Sequence, residues 1–148
     1  MIPDQIQREI HIAAPAARVW RALTEAKHLG TWFGDAGATI DPRPGGAITF
    51  TWQKAGTTRA RVVRIEPPRH FSFRWVRGRD EEPEPDNSTL VEFTLTDAAG
   101  GTLLRVVESG IRTLQMAEAE LTEYTRLNNL GWTSELAELQ AYVPEMAE

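Results

Sequence analysis

The sequence contains no cysteine. That absence removes disulfides, thiolate nucleophiles, zinc ribbons and iron–sulfur clusters together, and it suits a reducing cytoplasm, the compartment expected here. Histidine is scarce as well. His11, His28 and His70 are scattered, with no pair one helical turn apart, so neither a metal site nor any other cofactor is expected. Basic charge falls short of acidic: 16 Lys and Arg against 21 Asp and Glu leave a net charge of −5 and a pI near 5.3. Nucleic acid is therefore not an expected partner. There is no Gly-x-x-x-x-Gly-Lys, and Gly45-Gly46 does not open a helix, so nucleotide phosphates have no cradle. Ser109-Gly110 lacks the flanking glycines of a nucleophile elbow. No apolar run reaches the roughly 18 residues of a membrane span, and Met1 to Gln5 has neither the basic nor the apolar region of a secretory signal.

The 148 residues match the size of one domain, and no linker or second composition regime divides residues 1–148. Ile6, Ile10 and Ile12 alternate with Gln7, Glu9 and His11 as in a strand. After Pro15, Val19, Trp20, Leu23 and Ala26 recur at helical spacing, and a second short helix is predicted over Ala26 to Thr31, ending near Gly34. Strands are predicted over Ala38 to Asp41, around Ile48, Phe50 and Trp52, over Thr58 to Glu66, around Phe71, Phe73 and Trp75, over Ser88 to Thr96 and over Thr102 to Glu108. The acidic stretch Asp80 to Asn87 reads as a solvated hairpin tip. Leu121, Thr125, Asn128, Trp132, Leu136, Leu139 and Val143 then fall on one face of a long helix that Pro144 ends. Strand, two short helices, six strands and a long helix make an α+β order, with a curved antiparallel sheet of six or seven strands around the C-terminal helix.

Ala14-Pro15 through Val19-Trp20, Ala22-Leu23-Thr24, and His28-Leu29 through Trp32-Phe33 form an ordered set with Pro44-Gly45-Gly46 and Ile65-Glu66-Pro67-Pro68. Glu108-Ser109-Gly110 and Gly131-Trp132 with Leu136 and Leu139 complete it. In this order the motifs resemble the family of homologues of the activator of heat-shock protein 90 ATPase, within the START/polyketide-cyclase (SRPBCC) superfamily. The resemblance covers almost the whole chain. It implies the helix-grip fold and a deep cavity between sheet and long helix that takes hydrophobic or amphipathic ligands. The co-chaperone activity it brings to mind is that of multi-domain relatives with an added N-terminal domain.

Phase places Phe50, Trp52, Phe73, Trp75 and Phe93 on the inner face of the sheet and Trp132 opposite them on the helix. Five tryptophans in a chain of this length can fill a core or line an apolar pocket, and one interior can do both along its length. Trp32, from the second helix, and Val106, on the last strand, join the expected lining. Asn128 lies where an apolar side chain would pack better, so it must bond a neighbouring strand, a water or a ligand head group. Thr125 on the same face offers a hydroxyl, and Gly131 costs the helix about 1 kcal/mol relative to alanine. Glu108 shares its strand face with Leu104 and Val106. Aimed inward it is a candidate general acid or base; at an open mouth it is solvated, or paired with an arginine. Arg59, Arg61, Arg64, Arg69, Arg74, Arg77 and Arg79 suggest a basic face for an acidic partner, or a solvated one balanced by Glu66, Asp80, Glu81 and Glu92.

Three functions are consistent with these residues. The first is a small binding protein holding a hydrophobic or amphipathic molecule between sheet and helix. The second is a cyclase- or dehydratase-like enzyme using Glu108. The third is a stress-related, co-chaperone-like interaction protein, a homodimer being compatible with each.

Overall fold

The computed structural model describes residues 2–76 and 80–146. The isoleucine alternation at the start folds as β1 (Gln5–Ile12), and the apolar positions after Pro15 fold as α1 (Ala16–Thr24). The predicted second helix is shorter than expected: α2 (Ala26–His28) passes into a wide π-turn over Leu29–Phe33. The wider turn lets Leu29, Trp32 and Phe33 all face inward, and each is buried.

Six strands follow: β2 (Ala38–Ile40), β3 (Ala47–Trp52), β4 (Gly56–Glu66), β5 (His70–Trp75), β6 (Thr89–Ala98) and β7 (Gly101–Ser109). With β1 they form one curved seven-stranded sheet in the order β1-β7-β6-β5-β4-β3-β2, every neighbouring pair antiparallel. The segment from α1 through the π-turn carries the chain from one edge strand, β1, to the other, β2. A register shift between Val62 and Arg64 on β4 adds local twist. Two turns depend on the missing side chain of glycine. A Cβ on Gly101 would lie 2.0 Å from the Ile12 carbonyl oxygen, and one on Gly46 would lie 2.0 Å from that of Asp41.

The long helix is α3 (Glu118–Tyr142). At its start the Glu120 carboxylate accepts the Ala117 backbone N–H at 3.2 Å. Pro144 lies in the 3₁₀ turn Val143–Glu145 that closes it. Thr125, Asn128, Trp132, Leu136 and Leu139 are its buried stripe, at the predicted spacing. Its opposite face is exposed and includes Leu127 and Leu130.

The arginines of the central strands are on the wet side. Arg59 pairs with Asp80, Arg61 with Glu82, Arg64 with Glu66 and Arg69 with Asp97. All four pairs are exposed and screened by solvent. The partners are partly those expected: Asp80 and Glu66 serve, Glu82 and Asp97 take the remaining places, and Glu92 lies 3.8 Å from His70. Arg77 and Arg79 lie outside the described residues.

Candidate functional site: a buried carboxylate in an aromatic interior

Strand register brings polar groups together at one end of the inner face. Trp75 of β5 pairs with Thr89 of β6, and Glu108 of β7 pairs with Val91, two residues further along β6. Opposite them α3 presents Tyr124, Asn128 and Trp132, spaced by four residues and therefore on one stripe.

Five side chains converge on Glu108, which is fully buried. Its Oε1 accepts the Trp132 indole N–H at 2.9 Å and the Asn128 amide at 2.9 Å. Its Oε2 accepts from Thr89 Oγ1 at 2.6 Å, the Tyr124 hydroxyl at 2.7 Å, Asn128 Nδ2 at 3.0 Å and Trp75 Nε1 at 3.2 Å. The arginine partner and the open mouth are both replaced by this ring of neutral donors: among the described residues no ion pair reaches Glu108. Enclosing a charge costs several kcal/mol even after relaxation. Hydrogen bonds to a charged acceptor return about 1.5–3 kcal/mol each, so several are needed to hold it. Burial, and then the negative charge of Glu108, push the Tyr124 phenol well above its ordinary range.

The other expected lining residues reach the same interior. Phe50, Phe73, Trp75, Phe93, Val106 and Trp132 are buried, as is Trp32, while Trp52 is half-buried. The rings pack on one another. Trp75 and Trp132 have centroids 5.5 Å apart, Phe33 lies 5.9 Å from each, and Phe93 lies 6.0 Å from Trp132. Trp32 donates its indole N–H to the Ala22 carbonyl at 2.7 Å and Trp52 donates to that of Phe33 at 2.9 Å, so both anchor the π-turn rather than the carboxylate. Thr125 donates to the Leu121 carbonyl of its own helix at 2.8 Å.

Pockets flank this ring-filled centre. One, of about 90 Å³, has Val76, Leu114, Met116 and Tyr124 as walls, with Glu81, Asp86, Asn87 and Gln115 around it. Another, of about 270 Å³, lies between the β3–β4 hairpin and α3, against Trp52, Thr58 and Glu135. The first stands one side chain, Tyr124, from the buried carboxylate.

Residues 13–144 match the family described as activator of Hsp90 ATPase homolog 1-like protein. The chain belongs to this family. Solved structures agree with it in fold. Protein MLL2253 from Mesorhizobium loti superposes with a TM-score of 0.79 at 23% identity, covering 97% of this chain and 99% of that one. The Aha1 dimer from Colwellia psychrerythraea gives 0.74 at 20% identity, covering 94% and 95%. CalU16 from Micromonospora echinospora gives 0.68 at 27% identity, covering 96% and 78%. No curated protein sequence is matched by this chain. The seven-stranded curved sheet and long C-terminal helix are the helix-grip fold of these relatives.

For this activator-homologue family member, the geometry restricts what Glu108 can do. A carboxylate offers about four lone-pair directions, and six contacts already fill them. A substrate proton can reach it only if a donor leaves, which separates this site from an open general base. Among the described residues no group of three His, Asp or Glu side chains is arranged to hold a metal ion, and no helix is long and apolar enough to cross a membrane.

Sequence reasoning missed two of the five donors. Thr89 is in phase with Val91, Phe93 and Leu95, so a polar inward residue at the strand start was readable. Tyr124 sits one turn before Asn128, at the edge of the apolar stripe, where spacing gives no clear signal.

Proposed function

We propose that the protein is a binding module for an amphipathic small molecule, held at the Tyr124 end of the interface between sheet and α3. One observation carries this reading. Polar side chains from β5, β6, β7 and α3 converge on one enclosed carboxylate, and a pocket lined in part by Val76, Leu114 and Met116 stands one side chain away from it. Sites for small molecules are mostly apolar with a few placed polar groups, and the membership in this fold family supports the same interior. The ligand's apolar body would lie against Val76, Leu114 and Met116 and reach toward Trp75 and Trp132; Glu108, with Asn128 beside it, would fix its polar end. Burying ~300 Å² of apolar ligand surface contributes roughly 7 kcal/mol before the costs of association.

The test is a thermal-shift screen of the purified chain against long-chain amines, alcohols and acids, aryl-alkylamines, flavonoids and lysolipids. A ligand at about a hundred times its Kd adds roughly 2.7 kcal/mol of stability. The reading expects at least one class to raise the midpoint and Trp132→Ala to remove that rise. A panel that leaves the midpoint unmoved would overturn it.

A further inference from the structure

We propose that the ligand is a cationic amphiphile, an ammonium group on an apolar body, whose nitrogen docks on Glu108 Oε2 in place of the Tyr124 hydroxyl; this rests on the binding reading above and narrows its ligand class.

Charge balance is the first argument. Glu108 is enclosed and meets neutral donors alone among the described residues. A carboxylate that meets no cationic partner attracts a cation brought to it.

Access is the second. Trp75, Thr89, Asn128 and Trp132 are exposed by 0%, 0%, 3% and 1%. Tyr124 is the half-buried donor, and it alone of the five also lines the pocket. Turning its side chain aside joins the pocket to Oε2. An ammonium offers three N–H donors where the phenol offers one, so the exchange keeps the hydrogen bond and adds the opposite charge.

The pocket itself is the third. Val76, Leu114 and Met116 suit an apolar body, and among the described residues no lysine, arginine or histidine lines the pocket. Glu81 and Asp86 stand at its rim. Their neighbours Asp80 and Glu82 are neutralised by Arg59 and Arg61, whereas Glu81 and Asp86 take part in no ion pair among the described residues. The acidic stretch that reads in sequence as a solvated hairpin tip is thus one wall of this pocket, tied to the segment before α3 by the Gln115 N–H on the Asp86 carbonyl at 3.2 Å. Carboxylates in the lining, with Glu108 behind Tyr124, disfavour an anion and draw in a cation.

The experiment is calorimetric titration of the full chain with octylammonium and phenethylammonium, against 1-octanol, 2-phenylethanol and octanoate as matched controls. The ammonium probes are expected to bind at least about tenfold more tightly than the alcohols, the worth of a charge-assisted contact. Glu108→Gln is expected to abolish the preference. Tyr124→Phe, which removes the competing hydroxyl and keeps the ring, is expected to raise ammonium affinity several-fold, an effect that a purely structural Tyr124 would not give. If Glu108→Gln does not fold, Tyr124→Phe decides: unchanged or weaker ammonium affinity overturns the proposal. Alcohols or octanoate binding as tightly as the ammonium probes overturn the charge assignment and leave the binding module standing. No binding by any probe overturns both.

Discussion

Asn128→Leu separates two accounts of the helix face by the sign of its effect. Read as a pattern, Asn128 interrupts an apolar stripe between Leu121 and Trp132, and leucine there gains burial and a few tenths of a kcal/mol of helix propensity. In the structure its amide is, among the described residues, the one group that touches both oxygens of Glu108, at 2.9 and 3.0 Å. Leucine removes both contacts and faces a fully enclosed carboxylate with an isobutyl group. Two bonds to a charged acceptor at about 1.5–3 kcal/mol each, less the apolar gain, give a net loss of roughly 2–4 kcal/mol. For a chain of this length that lowers Tm by about 10 °C. Urea unfolding followed by tryptophan fluorescence reads it as a lower midpoint at unchanged slope. Repeated in a Glu108→Gln background, the same substitution should cost at least about 1 kcal/mol less, because the two residues share one interaction. An Asn128→Leu protein as stable as the parent, or more stable, would refute the reasoning.

Trp132→Phe keeps a ring against Trp75 and Phe93 but deletes the N–H on Oε1; it should cost about 2 kcal/mol in the same urea assay. The Tyr124 phenol is raised first by burial and then by the charge of Glu108. The unfolded chain ionises this group near pH 10, so its stabilisation is full below about pH 10 and declines as pH rises above it. Ultraviolet titration should show one of the two tyrosines resisting ionisation until the protein unfolds, and Tyr124→Phe should remove that component. Burial also holds His28 and His70 below the ordinary histidine range, against the pull of Glu25 on His28 and of Glu92 on His70. Their neutral forms stabilise the fold above about pH 6.5, and that contribution is lost as pH falls through the depressed values. Urea midpoints measured from about pH 7.5 down to about pH 5 should decline, less steeply in a His28→Gln, His70→Gln variant.

Much of the architecture is legible in the sequence because most strands keep their two-residue alternation, β4 breaking it at its register shift, and α3 keeps one apolar stripe. Leu104, Val106 and Glu108 share a face in the sequence and share it in the sheet. The π-turn is not legible, because Leu29, Trp32 and Phe33 fit a helical pattern until Gly30 is packed against Ala38, where a Cβ would lie 2.9 Å from the backbone nitrogen. Glu108 and Asn128 stand out as polar residues on apolar faces, and the structure joins them to each other. What no periodicity reveals is direction within the core. That Trp75 and Trp132 aim their indole N–H groups at one carboxylate, while Trp32 and Trp52 aim theirs at backbone carbonyls, depends on rotamers set by packing. Nor can composition tell a lined cavity from stacked rings, since both need the same residues.

The central claim is that a small molecule is recognised at Glu108 from the Tyr124 side. The most direct measurement follows the indole N–H resonances of the five tryptophans by heteronuclear NMR during titration with octylammonium. The account predicts that the Trp75 and Trp132 signals move together, with backbone amides of Val76, Leu114 and Tyr124, while those of Trp32 and Trp52 stay in place. Saturable binding that leaves Trp75 and Trp132 unmoved, or that shifts Trp52 and the β3–β4 hairpin instead, would contradict it.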